Sequence, residues 1–301
     1  MNGILSIYKE KGYTSHDVVA IIRKVLHQKR VGHTGTLDPE AEGVLPVCIG
    51  KATKVVEFLT EQKKRYLAIA KLGISTTTQD HTGDIIESKP VDFDKSKIKQ
   101  VVQSFIGEYE QVPPMYSAIK VNGKKLYELA RQGKTIERKA RKVHIYDIKI
   151  TSFIPPDQIE LDILCSKGTY IRTLCADIGA QLGCGAHMSS LIRTEVGIFN
   201  INNSIKLDEF KELVDQQEID NIIVNIDELF HEYPSVTIKK TGEKALMNGN
   251  KIHFSYIKNK HEAIKAHDII RVYSDCGNFI GLYNVAIEGE EFYLKPRKLF
   301  L

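Results

Sequence analysis

Cysteine is scarce in this chain of 301 residues: there are five, Cys48, Cys165, Cys175, Cys184 and Cys276, an odd number thinly scattered. That excludes a disulfide-stapled scaffold and predicts reduced thiols in a cytoplasm. Long apolar runs are missing too. No stretch reaches the length of a membrane span, and the opening MNGILSIYKEKGYTS has no basic segment leading into a sustained apolar one. The sequence therefore predicts neither an embedded nor an exported protein. Net charge is small, +4 from 42 Lys and Arg against 38 Asp and Glu, too small as a whole-chain figure to argue for nucleic acid. Internal repeats and low-complexity tracts are absent. What remains, 42% hydrophobic and 27% charged residues, is the composition of an ordinary globular protein. The length suits one large domain or two unequal ones.

Residues 3 to 9 read as a short strand. Thr14 and Ser15 then offer N-caps for a helix carrying Val18, Val19, Ile22, Val25 and Leu26 at helical spacing. The stretch RVGHTGTLDPEAEGVLPVCIGKATK, residues 30 to 54, breaks that periodicity with Gly32, Gly35, Gly43, Gly50, Pro39 and Pro46, and predicts a long loop with a function. RYLAIAKLG from Arg65 reads as a strand, and Asp94 caps a helix through Phe105. MYSAIKVNGKKLYELARQGK predicts β structure to Val121, a turn at Asn122-Gly123 and a short helix. Strand-like runs at 143 to 153 and 158 to 165 lead into KGTYIRTLCADIGAQLGCG, an amphipathic helix ended by Gly183 and Gly185. The alternation is too irregular for a doubly wound parallel sheet, so the expected class is α+β with a mixed sheet.

Charge is segregated along the chain. Between Lys120 and Lys142 lie Lys120, Lys124, Lys125, Arg131, Lys134, Arg138, Lys139, Arg141 and Lys142 against Glu128 and Glu137, a local balance of +7. Residues 206 to 232 hold nine acids and two lysines, or −7, with apolar residues at the spacing of one or two surface helices. Basic residues interleaved with Tyr116 and Tyr127 suit a surface that tracks phosphates and stacks bases, although a merely solvated face has the same composition. After Pro234 come short strand patterns, VTIKK, DIIRVYS, NFIGLYNVAI and EFYLKP, which predict a small β-rich, barrel-like module. The expected division is residues 1–233 and 234–301.

Asp38 is the carboxylate with most promise of chemistry. Pro39 pushes it toward an extended conformation, while Gly32 and Gly35 permit the bends that would present it in a cleft. By itself an Asp-Pro pair is an ordinary turn. Cys175, Cys184 and His187 stand as C-x8-C-x2-H, which is not a paired-ligand spacing, so buried thiols and a capping histidine are expected instead of a metal site.

GHTGTLDPEAEGVLPVCIGKATK, KRYLA, QVPPMYSAIKVNGKKLYELARQGK, SKGTYIRTL and LGCGAHMSSLIRT follow one another here in the order found in bacterial TruB-type tRNA pseudouridine synthases. The chain resembles that family over residues 3 to 200. The resemblance implies a mixed-sheet catalytic domain followed by a small RNA-binding, PUA-like domain. It implies isomerisation of uridine to pseudouridine at position 55, in the T-loop of tRNA, without metal or organic cofactor. The implied partner is the tRNA T-arm, with no membrane, no obligate protein partner and a monomer in the cytoplasm. By motif, Asp38 matches the catalytic aspartate and Arg172 the arginine that pairs with it. Tyr66 matches the tyrosine lying over the target base, Tyr170 a pocket aromatic and Leu191 a wall of the uracil pocket. His33 matches the histidine near the flipped nucleotide, with a general base as its competing role. Lys9 fits the lysine of a D-K-P-x-G-x-T-S pattern, but Tyr8 and Glu10 replace the usual Asp and Pro. An accompanying part in tRNA folding, a binding module without catalysis, and a synthase for another RNA are the readings that stand beside this one.

Overall fold

The strand Lys64–Leu72 shows how the sequence sets the large sheet: Lys64, Tyr66, Ala68, Ala70 and Leu72 are buried and the residues between them half-buried, the two-residue period of a strand with one face on the core. A computed structural model describes residues 1–121, 123–259 and 264–301; Asn122, half of the expected turn, lies outside the described residues. Across the large sheet the order is Gly3–Lys9, Glu42–Ile49, Ala186–Val196, Lys64–Leu72, Gln158–Cys165, Arg141–Ile154, Gly107–Gln111, with Val31–His33 and Phe199–Asn200 attached. The pairings are antiparallel except a short parallel contact, Ile192 with Glu42 and Arg193 with Gly43. The sheet is thus mixed, and the fold is α+β as expected. Among the described residues, Ala186–Val196 is the strand that joins the N-terminal strands to those between residues 64 and 165.

Among the strands that the sequence pattern hides are two of the large sheet. In Ala186–Val196 the alternation is broken by register shifts between Met188 and Ser190 and between Arg193 and Glu195; in Gly107–Gln111 the residues are largely polar. The long loop of residues 30 to 54 is a correction. Val31–His33 and Glu42–Ile49 pair as a hairpin, leaving only residues 34 to 41 as loop. Pro46 is tolerated because the pairing with Val31–His33 stops at Val47. Its carbonyl faces that side and accepts from the Thr34 amide at 3.2 Å, so the N–H that proline lacks is missed only at the last rung of that pairing and not within it.

Helix Ser15–Val25 begins with a capping box between Thr14 and Asp17. It packs with helix Leu207–Asp215 over the first strands, burying Leu5, Ile7, Ile22, Leu45 and Phe210 together. The acidic segment supplies that one helix and then 3-10 turns at Ile219–Ile222 and Ile226–Phe230. Helix Ile171–Leu182 lays Ile171, Leu174, Cys175 and Ile178 on Ala68, Leu161 and Ile163, and stops at Gly183, whose φ of 86° closes it. The second sheet runs Ser235–Thr237, Ile269–Tyr273, Phe279–Glu288, Glu291–Leu299, Ile252–His253. A bridge between Ile238 and Ile257, beside its two edge strands, curls it toward closure. Leu282 and Phe300 of this part share a core with Val196, Phe199 and Phe230. No helix among the described residues is long and apolar enough to cross a membrane.

Candidate active site

Asp38 sits in the loop between the two hairpin strands, with its side chain 43% exposed. The loop is pinned from several sides: the Ala41 amide donates to Asp38 O at 3.0 Å, and the Gly12 amide donates to Pro39 O at 3.0 Å. Ser15 Oγ accepts from the Leu37 amide at 2.9 Å. Lys9, fully buried, points its ammonium at three main-chain oxygens, those of Tyr13 at 2.8 Å, Glu10 at 3.1 Å and Pro39 at 3.1 Å. Burial brings its pKa down to about 8. In this structure Lys9 therefore props the loop next to Asp38.

Arg172, 7% exposed at its side chain, lies 3.4 Å from Asp38 and 3.5 Å from Asp80. The same nitrogen that faces Asp38 donates to the main-chain oxygen of Tyr116 at 2.5 Å. Asp80 is itself built in: Thr78 Oγ1 donates to its carboxylate at 2.7 Å, as do Thr82 Oγ1 at 2.5 Å and the Thr82 amide at 3.0 Å. Burial works against the ionised carboxylate, but the Thr82 and Thr78 bonds and the Arg172 charge outweigh it and hold Asp80 below its ordinary value. Two carboxylates thus flank one guanidinium. The sequence reading missed Asp80, whose only signal is an acid among threonines in TTTQDHTGD.

Tyr66 and Leu191 come from neighbouring strands and share a buried cluster with Leu37 and Ala41 of the Asp38 loop. Burial pushes the Tyr66 hydroxyl above its ordinary value. Tyr170 caps the helix that carries Arg172, and that guanidinium lies 5.9 Å from its ring centroid. Gln111, 1% exposed, grips the Tyr170 backbone at both ends of its amide, accepting from Tyr170 N at 2.8 Å and donating to Tyr170 O at 3.0 Å. It too was not foreseen. His33 accepts from the Gly35 amide at 3.3 Å through Nδ1 and meets His16 edge to face at 5.2 Å. Burial, then His16 and Arg193, lower its pKa, which favours the neutral ring. Asp38, Tyr66, Tyr170, Arg172, Leu191 and His33 are thus drawn from three strands, a loop and a helix start into one region. His187, on the far run of the same strand as Leu191, instead pairs its Nδ1 with the carbonyl of Ile74 at 2.9 Å.

The basic segment borders this region. Lys120, Lys124, Arg131, Lys134, Lys139, Arg141 and Lys142 are exposed, while Lys125 and Arg131 lie 5.3 and 5.4 Å from the Tyr127 ring centroid.

Residues 23–171 match the family model for the TruB family pseudouridylate synthase N-terminal domain, and residues 172–231 that for the tRNA pseudouridylate synthase B C-terminal domain. The chain is 48% identical over its whole length to the complete tRNA pseudouridine synthase B of Lachnoclostridium phytofermentans. To that of Alkaliphilus oremlandii it is 50% identical, over 88% of this chain and 87% of that one. Among solved structures, a Cbf5-Nop10-Gar1 complex contains a chain with a TM-score of 0.73 at 29% identity, covering 99% of this chain and 85% of that one. An H/ACA RNP bound to a substrate RNA containing 2'-deoxyuridine gives the same TM-score and coverage at 26% identity.

Proposed function

The chain belongs to the TruB family of tRNA pseudouridine synthases, enzymes that isomerise uridine to pseudouridine in tRNA, and from that premise we propose that Asp38 is its catalytic carboxylate, acting on position 55 of the T-loop. The observation that carries this is the half-exposed Asp38 carboxylate 3.4 Å from the buried Arg172, at the edge of the cluster holding Tyr66 and Leu191. Isomerisation must break the bond from N1 to C1′, turn the uracil and rejoin it through C5. An ionised carboxylate serves either as a nucleophile toward the sugar or base or as a base toward a sugar proton. Arg172 aims it. Tyr66 stacks on the base and helps remove the C5 proton, Tyr170 and Leu191 wall the uracil, and His33 fills the space left by the extruded nucleotide.

The exposed cations between Lys120 and Lys142 track the T-arm phosphates. Residues 234–301 form a PUA-like RNA-binding domain, and the enzyme works as a monomer in the cytoplasm without metal or organic cofactor. Opening the tRNA elbow to reach its target also lets it assist tRNA folding. The test is Asp38→Asn. Tritium release from tRNA labelled at uridine C5 should cease, while tRNA affinity stays within about 3-fold because the phosphate contacts lie elsewhere. Release at the wild-type rate would remove Asp38 from the chemistry.

A further inference from the structure

Arg193 is 1% exposed, and no carboxylate pairs with it among the described residues. A buried guanidinium without an anion is a costly arrangement, and its bonds show what it does. Its Nε donates to Val44 O at 2.7 Å and its Nη2 to Gly35 O at 3.1 Å. These two carbonyls flank Asp38 in the chain, one near each end of the loop. On the other side Arg193 is the register partner of Tyr66, whose hydroxyl lies beside the guanidinium. Its strand joins the part of the sheet that carries the Asp38 hairpin to the part that carries Tyr66. Gly43 presses directly against it: a Cβ there would stand 2.2 Å from the Arg193 carbonyl oxygen. The other buried cations nearby, Lys9 and Lys64, likewise bond main-chain oxygens.

We propose that Arg193 is a positioning residue for the isomerisation, fixing the loop that carries Asp38 against the strand that carries Tyr66 so that both meet one uridine. This rests on the reading of Asp38 and Tyr66 as the reacting pair. Only a forked cation reaches both loop carbonyls at once; a lysine offers a single nitrogen.

The experiment compares Arg193→Lys, alone and combined with Tyr66→Phe, in the full-length enzyme with C5-tritiated tRNA. Single-turnover rate, tRNA affinity and thermal midpoint are measured for each. Arg193→Lys should leave affinity within about 3-fold and lower the rate about 10- to 100-fold, the scale on which a misplaced reacting group is felt. In the Tyr66→Phe background the same change should cost clearly less, because residues that act together are not additive. A wild-type rate in Arg193→Lys, or the same fold-loss in both backgrounds, overturns the proposal. Arg193→Met repeats the comparison if the lysine form does not fold, and failure of both to fold assigns Arg193 to stability alone. Asp38→Asn speaks separately to the reacting pair, so failure of that reading and failure of this one look different.

Discussion

Arg172 donates its shortest hydrogen bond, 2.5 Å, to the main-chain oxygen of Tyr116, while the Asp38 carboxylate lies 3.4 Å from the same nitrogen. One guanidinium thereby joins the Asp38 loop to the entrance of the basic segment. Lysine keeps the charge but not the planar fork, so Arg172→Lys should slow single-turnover conversion by roughly 100-fold with little change in tRNA affinity. A rate close to wild type would show that charge alone suffices.

Asp80 holds the other nitrogen of that guanidinium at 3.5 Å. Asp80→Asn keeps the shape and loses the charge, so Arg172 is no longer pulled toward the 74–85 turn. The expected result is a rate lower by about 10-fold, again without a matching loss of affinity. Equal losses in both quantities would instead place Asp80 on the RNA.

Salt dependence tests the basic segment. Replacing Lys124, Lys125 and Lys139 together by Gln should weaken tRNA binding and flatten its log–log dependence on salt, by about 0.9 for each duplex phosphate contact removed. An unaltered slope means that these lysines face only solvent.

Lys64 gives a stability signature in alkaline solution. Burial, helped by the neighbouring Arg193 charge, lowers its pKa from 10.5 to about 8. The unfolded chain thus holds this proton between about pH 8 and 10.5 when the folded one does not, and stability rises with pH through that window. Below about pH 8 the penalty of the buried charge is present in full. Denaturant melts of the wild type and Lys64→Met should therefore diverge across the window, the wild type gaining on the order of 1–3 kcal/mol relative to the variant. A constant difference would show that Lys64 titrates normally.

Some of this was legible from residue order alone. The alternation in KRYLAIAKL, the Thr14 cap and the glycine-closed helix of residues 171 to 182 each follow local rules, and the structure has them. Local rules failed where partners from afar decide. Glu42–Ile49 contains a glycine and a proline that read as loop, yet it is held as a strand by Gly3–Lys9 on one side and Val31–His33 on the other. Ala186–Val196 hides its period behind two irregularities. At the site, the motif residues were readable as a set through the family resemblance. Asp80, Gln111 and Arg193 were not, because each matters through main-chain or side-chain partners that only the tertiary structure supplies.

The strand Ala186–Val196 also bears on when activity can arise during synthesis. Its Arg193 reaches Val44 across 149 positions of chain, and pairings so remote form slowly. The N-terminal hairpin and the strands from 64 to 165 leave the ribosome first, each with an edge that this later strand will fill. Asp38 and Tyr66 stay on separate pieces of sheet until it docks. On the reading of Asp38 and Tyr66 as the reacting pair, a nascent chain displays its loop, its tyrosine and its basic run before that strand slots into the gap and sets the two side by side.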